Sequence, residues 1–115
     1  MEDKIPTRVT VFDSTRIIVE TEKNEDGITL AYIGFKKSKS HEDVYAYRSS
    51  ESSDIFRMAE ELRDMGIPFA TDRTGGADYA VETFRSRGQL SGKFKRINFF
   101  GRDYSGPLRY SIEEF

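Results

Sequence analysis

The apolar residues of this chain change their period part-way along, and that change restricts the fold more than any other feature. In 8–13 (RVTVFD) and 16–22 (RIIVETE) they are β-branched and closely alternating, the pattern of half-buried strands. Ser14 and Thr15 between the two runs read as a hairpin turn. Gly27 after Asn24-Glu25-Asp26 reads as another turn, so 28–36 is expected to return as a third strand, with Ile28, Leu30 and Tyr32 alternating and a bulge at Gly34. Val44 to Arg48 (VYAYR) supplies a fourth.

From Ile55 the spacing becomes helical: Ile55, Met58, Ala59, Leu62 and Met65 lie on one face, with Ser52 or Ser53 as N-cap and Gly66 as stop. Residues 67–71 form a short extended segment around Pro68. A second helix over 78–87 buries Ala80, Val81 and Phe84 and ends at Gly88, with Arg85 and Arg87 suiting the negative end of its dipole. Short strands are expected near 96–100 and 108–112. The expected class is α+β: an N-terminal antiparallel β-meander of about four strands, packed by two helices and followed by short C-terminal strands. At 115 residues the chain suits one domain, 1–115, with one core.

The absence of cysteine excludes disulfides, thiolate metal sites and cysteine nucleophiles, and fits a reducing, cytoplasmic setting. Apolar runs fall far short of the ~20 residues that cross a bilayer, and Met1-Glu2-Asp3-Lys4 does not open like a signal peptide. No membrane partner is expected. The single histidine, His41, stands in the polar stretch Ser40-His41-Glu42-Asp43 and lacks the partners that a triad or a zinc site needs. Acidic pairs such as Glu60-Glu61 and Glu113-Glu114 read as ordinary surface. Two glycines in 72–78 (DRTGGAD), ahead of a helix, allow a phosphate cradle with Arg73, although a loop with an Asp or Thr cap is the simpler explanation. With no catalytic signature, the expectation is a protein that is not an enzyme and that uses neither metal nor cofactor.

Charge is unevenly spread. Residues 1–70 hold 14 acids and 10 bases, whereas 83–102 hold six bases and no acid. This run lies in 84–104 (FRSRGQLSGKFKRINFFGRDY), where bases alternate with aromatic rings, the pairing that neutralises phosphates and stacks on nucleobases. The candidate ligand-binding residues are Arg73, Arg85, Arg87, Lys93, Phe94, Lys95, Arg96, Arg102, Asp103, Tyr104 and Arg109. The arginines and lysines are candidate phosphate contacts, and Phe94 and Tyr104 would stack on bases. The competing reading is an edge strand whose phenylalanines are core and whose charges are its solvated face.

Ser14-Thr15-Arg16-Ile17, the strand ending at Ile33-Gly34-Phe35, Val44-Tyr45-Ala46-Tyr47, a helix, and Ser91-Gly92-Lys93-Phe94 with Asn98 together resemble the KTSC domain, a small family found at the C-terminus of some lysyl-tRNA synthetases. Residues 51–77 would be an insertion. The resemblance implies a small α+β binding module, near RNA, and no catalysis.

These features converge on a non-catalytic, cytoplasmic binding protein that captures a phosphate-bearing nucleotide. Small size and missing chemistry extend this to sequestration of a signalling nucleotide, as in phage counter-defence sponges, and small binders often build their sites between subunits, so a homodimer is expected. The alternatives are a single-stranded RNA- or DNA-binding module, and a protein-interaction module or inhibitor.

Overall fold

Asp13 makes the first turn: one carboxylate oxygen accepts the backbone N–H groups of Thr15 and Arg16 at 2.9 and 3.0 Å, leaving Ser14 and Thr15 as the connection. It joins β1 (Arg8–Phe12) to an antiparallel β2 (Arg16–Glu20), with a bulge between Val9 and Val11. The computed structural model describes residues 6–70, 76–90, 94–102 and 108–115, with side chains at 6–70, 77–90, 94–98 and 110–115.

The chain then departs from expectation. The third strand expected over 28–36 is instead a helix, α1 (Asn24–Tyr32), and extended structure is limited to β3 (Lys36–Lys37). Glu25 and Asp26 sit in the first turn, where the helix dipole favours them. The buried Thr7 hydroxyl donates to Asp26 and accepts the N–H of Glu22, tying the helix start to the sheet. Gly34 is not a bulge. It adopts φ +118° just past the helix, its N–H donates to the Ala31 carbonyl, and that of Phe35 reaches back to Leu30, which closes the helix in a Schellman motif. Leu30 and Phe35, the apolar pair of that motif, are both buried.

The same closure ends the other two helices. It uses Gly66 after α2 (Ser52–Asp64) and Gly88 after α3 (Gly76–Ser86), both at positive φ. Both stops agree with expectation, but the serine cap of α2 does not: Glu51 is the N-cap, with no side-chain cap bond, and Ser52 is the first helical residue.

Strands β4 (Val44–Arg48), β5 (Phe69–Ala70), β6 (Lys95–Arg102) and β7 (Leu108–Glu114) complete a seven-stranded sheet in the order β3-β4-β2-β1-β5-β6-β7. The class is α+β with a mixed sheet. The four N-terminal strands are antiparallel, the short β5 pairs parallel with both β1 and β6, and β6 and β7 form an antiparallel pair.

One face of this sheet and all three helices contribute to a single buried cluster, including Val9, Ile17, Val19, Leu30, Leu62 and Phe69. Four phenylalanines form its centre. Phe69 and Phe94 stack at 5.1 Å, and Phe84 packs on Phe94 at 5.2 Å and on Phe56 at 4.9 Å. Arg63 fastens α2 over this centre, its guanidinium 5.2 Å above Phe84 and donating to the Gln89 carbonyl at 3.2 Å. Alternation along β2 and β4 leaves Arg16, Ile18, Ala46 and Arg48 on the opposite face.

Candidate functional site

The structure takes the basic, aromatic segment apart. Phe84 and Phe94 are fully buried members of the aromatic centre, so Phe94 does not present a stacking face to a ligand. The bases stay outside but acquire partners. Arg85 pairs with Glu82 at 2.8 Å, Lys95 with Glu114 at 3.7 Å, and Arg96 with Glu113 at 2.5 Å, with Asp78 3.9 Å away. The guanidinium of Arg87 lies 4.1 Å above the ring of Phe56. A run without acids along the chain is therefore not without acids in space. The antiparallel register of β6 and β7 sets Glu114 opposite Lys95 and Glu113 opposite Arg96, and strand pairing is invisible to a local charge count.

At the far end of the same pair, Arg102 is opposite Leu108 and Arg109 opposite Gly101, which makes the two arginines backbone neighbours. Arg73, Lys93, Asp103 and Tyr104 lie outside the described residues, as does most of the 72–78 loop.

Where α3 stops, a cavity of about 350 Å³ opens, lined by Arg85, Gly88, Leu90 and Phe115. Its construction follows from chain geometry. The turn at Gly88 carries Leu90 past the helix end, and the N–H of Phe115 donates to the Phe94 carbonyl at 3.0 Å, extending the β6–β7 pairing. That bond brings the ring of Phe115 edge-on to Phe94 at 5.4 Å, while Arg96 lies 5.2 Å above Phe115. The result is an apolar wall with an arginine at its rim. Arg85 is 57% exposed and its partner Glu82 more so, and a surface pair of this kind contributes at most about 1 kcal/mol, so the guanidinium can exchange partners cheaply. Among the described residues that line it, no side chain is a nucleophile or a general base. Sequence reasoning named Arg85 but missed Leu90 and Phe115, for which the only signal was their apolarity.

A second polar centre joins β4 to α2. The Tyr47 hydroxyl donates to Asp54 at 2.6 Å, and Arg57 donates to the other oxygen of that carboxylate, also at 2.6 Å. These two bonds hold the Asp54 carboxyl below its ordinary value, and bonds from Arg96 and Asn98 do the same for Glu113. Tyr47 is pushed up, because its proton is held by Asp54.

The consequence for pH has a definite sign. A carboxyl lowered in the folded chain contributes stability above its unfolded pKa of about 4 and loses it as pH falls through the folded value. The urea midpoint is expected to hold from about pH 7 to 5 and to fall below about pH 4. Asp54→Asn combined with Glu113→Gln should flatten that acid limb; if the double variant keeps the parental limb, these two groups do not produce it. The raised Tyr47 predicts a further loss above about pH 10, absent in Tyr47→Phe.

Among the described residues no group of three or more His, Asp or Glu side chains gathers as a metal site, and no helix is long and apolar enough to cross a membrane. Of the residues shared with the KTSC pattern, Val44-Tyr45-Ala46-Tyr47 forms β4, whereas Ile33-Gly34-Phe35 closes a helix and does not end a strand. Ser91, Gly92 and Lys93 lie outside the described residues. No family model, curated protein or solved structure matches the chain.

Proposed function

We propose that this protein is a non-catalytic binder of a small phosphate-bearing nucleotide, which it captures at the cavity beyond the C-terminal end of α3. The observation that carries this reading is the pairing of an apolar, aromatic wall, Leu90 and Phe115, with Arg85 at the rim. The cavity's 350 Å³ sits at the lower end of the ~300–1,000 Å³ typical of small-molecule sites, which suits one base. In this reading the base lies on Phe115 while Arg85 contacts a phosphate, a planar cation against a tetrahedral anion. Arg96, above the ring of Phe115, and Arg87, two residues along from Arg85, follow as further cations. Sequestration of a signalling nucleotide is the role that such a site, with no catalytic group among its described residues, would serve.

A thermal-shift screen against mono-, cyclic and dinucleotides and short oligonucleotides tests it. A ligand at about 100 times its Kd should raise Tm by several degrees in a domain of this size. Arg85→Glu should abolish the rise, and it should lower the unliganded Tm by no more than a few degrees, because it exchanges the Glu82 pair for a repulsion at the negative end of the helix dipole. A rise with oligonucleotides alone, falling steeply with salt, would favour the single-stranded nucleic-acid module instead. If no nucleotide moves Tm, the protein-interaction reading gains, and the observation behind that reading is the edge strand β7, with Ile112 exposed.

A further inference from the structure

On the sheet face away from the buried cluster, β2 and β4 pair with Arg16 directly opposite Arg48. Like charges opposite one another destabilise a sheet, so the arrangement calls for a compensating negative charge. Asp13 answers Arg16, with an ion pair at 3.1 Å. Among the described residues no carboxylate answers Arg48 or Lys36, and these two cations line the same small cavity with Gly34, Ala46 and Tyr47.

The protection of an edge strand accounts for a lysine in β3, since charged side chains deter the pairing of further chains. It does not account for the cavity, nor for the placing of Arg48 opposite another arginine. Gly34 is there for its backbone: it adopts φ +118°, and a Cβ would meet the ring of Tyr47 at an ordinary contact distance of 3.4 Å. The volume, about 180 Å³, is below the usual range for a whole nucleotide and leaves room for a tetrahedral oxyanion with its waters.

We infer that this cavity beside the paired β3 and β4 is a phosphoryl-binding site, in which Lys36 and Arg48 together neutralise the anion. Arg48 supplies the planar fork and Lys36 a mobile point charge. The site is separate from the cavity at the end of α3 and stands or falls independently of nucleotide capture there.

Titration of the uniformly ¹⁵N-labelled protein with inorganic phosphate, at constant ionic strength against chloride, tests it. Saturable amide shifts are expected at Gly34, Lys36, Ala46, Tyr47 and Arg48. Lys36→Ala with Arg48→Ala should weaken the apparent affinity at least about ten-fold, as the loss of one charge-assisted contact already would. Arg85→Glu should not change it. Arg48→Ala alone should leave the Tm without phosphate equal or higher, because it relieves the repulsion from Arg16, whereas a purely structural arginine would lower it. A phosphate monoester such as glycerol phosphate, run in parallel, separates the two sources of the anion: equal affinity marks a site for the free ion, and tighter binding one for an esterified phosphoryl group. Shifts that never saturate, that chloride reproduces, or that survive in the double variant would overturn the assignment.

Discussion

Alanine at position 84 is expected to cost the fold about 3–5 kcal/mol, the usual loss for a fully buried phenylalanine. Phe84 is where α3 meets the sheet. Its ring touches Phe56 of α2 at 4.9 Å and Phe94 at 5.2 Å, approaches Phe69 of β5 at 6.1 Å, and lies 5.2 Å beneath the guanidinium of Arg63. Truncation leaves a void bounded by three more rings, of which Phe69 and Phe94 are stacked on each other and cannot freely move in to fill it. Against a total stability of about 5–15 kcal/mol, the loss should lower Tm by more than about 10 °C. Urea unfolding followed by far-ultraviolet circular dichroism should show a lower midpoint at an unchanged slope. Phe84→Leu, which keeps most of the volume, should cost less than half as much. A loss under about 1 kcal/mol for the alanine variant would mean that these rings do not pack as one unit.

The second large effect has a sign opposite to the one helix propensity predicts. Glycine inside a helix is ordinarily about 1 kcal/mol worse than alanine, so Gly27→Ala in α1 should by that rule stabilise the protein. Here a Cβ at position 27 would stand 2.7 Å from Cζ and 2.9 Å from Cε1 of Tyr45, a ring that packs against the buried cluster. Overpacking of this kind costs about 1–3 kcal/mol, so after the propensity gain a net loss of about 1 kcal/mol is expected. The double-mutant cycle isolates the cause. In a Tyr45→Ala background the clash is gone and Gly27→Ala should become stabilising, which gives a coupling energy of about 2 kcal/mol. Additive single effects would show that glycine is not required for the approach of Tyr45.

Position 27 also explains why Asn24–Tyr32 is a helix where its alternation predicts a strand. Ile28, Leu30 and Tyr32 alternate as a strand would, yet the alternation is not a burial pattern: Ile28 and Tyr32 are 72% and 91% exposed, and only Leu30 is buried. Asn24-Glu25-Asp26-Gly27 carried both a turn signal and an acidic first helical turn. What settled the matter was contact with Tyr45 and Thr7, which arrive from β4 and from the approach to β1. The candidate site follows the same logic. Arg85 was identifiable from its neighbours in the chain, whereas Leu90 and Phe115 meet only because β7 runs back along β6.

By itself the sequence determined what short-range physics controls. The Asp13 turn, the two amphipathic helices with their stops at Gly66 and Gly88, and the α+β class all depend on residues a few positions apart, through side-chain periodicity and the low cost of positive φ at glycine. Tertiary structure alone decided which face of each strand is covered and which charges meet. At the start of β6 apolar residues fall on both parities, Phe94 on one and Ile97 on the other, so nothing local could say that Phe94 enters the core or that Glu113 and Glu114 answer the basic run. The opposition of Arg16 and Arg48 likewise exists only because β4 returns beside β2 after α1 and β3 have intervened. Burial and Coulomb energy depend on distance in space, and it is the pairing of strands remote in sequence that sets those distances.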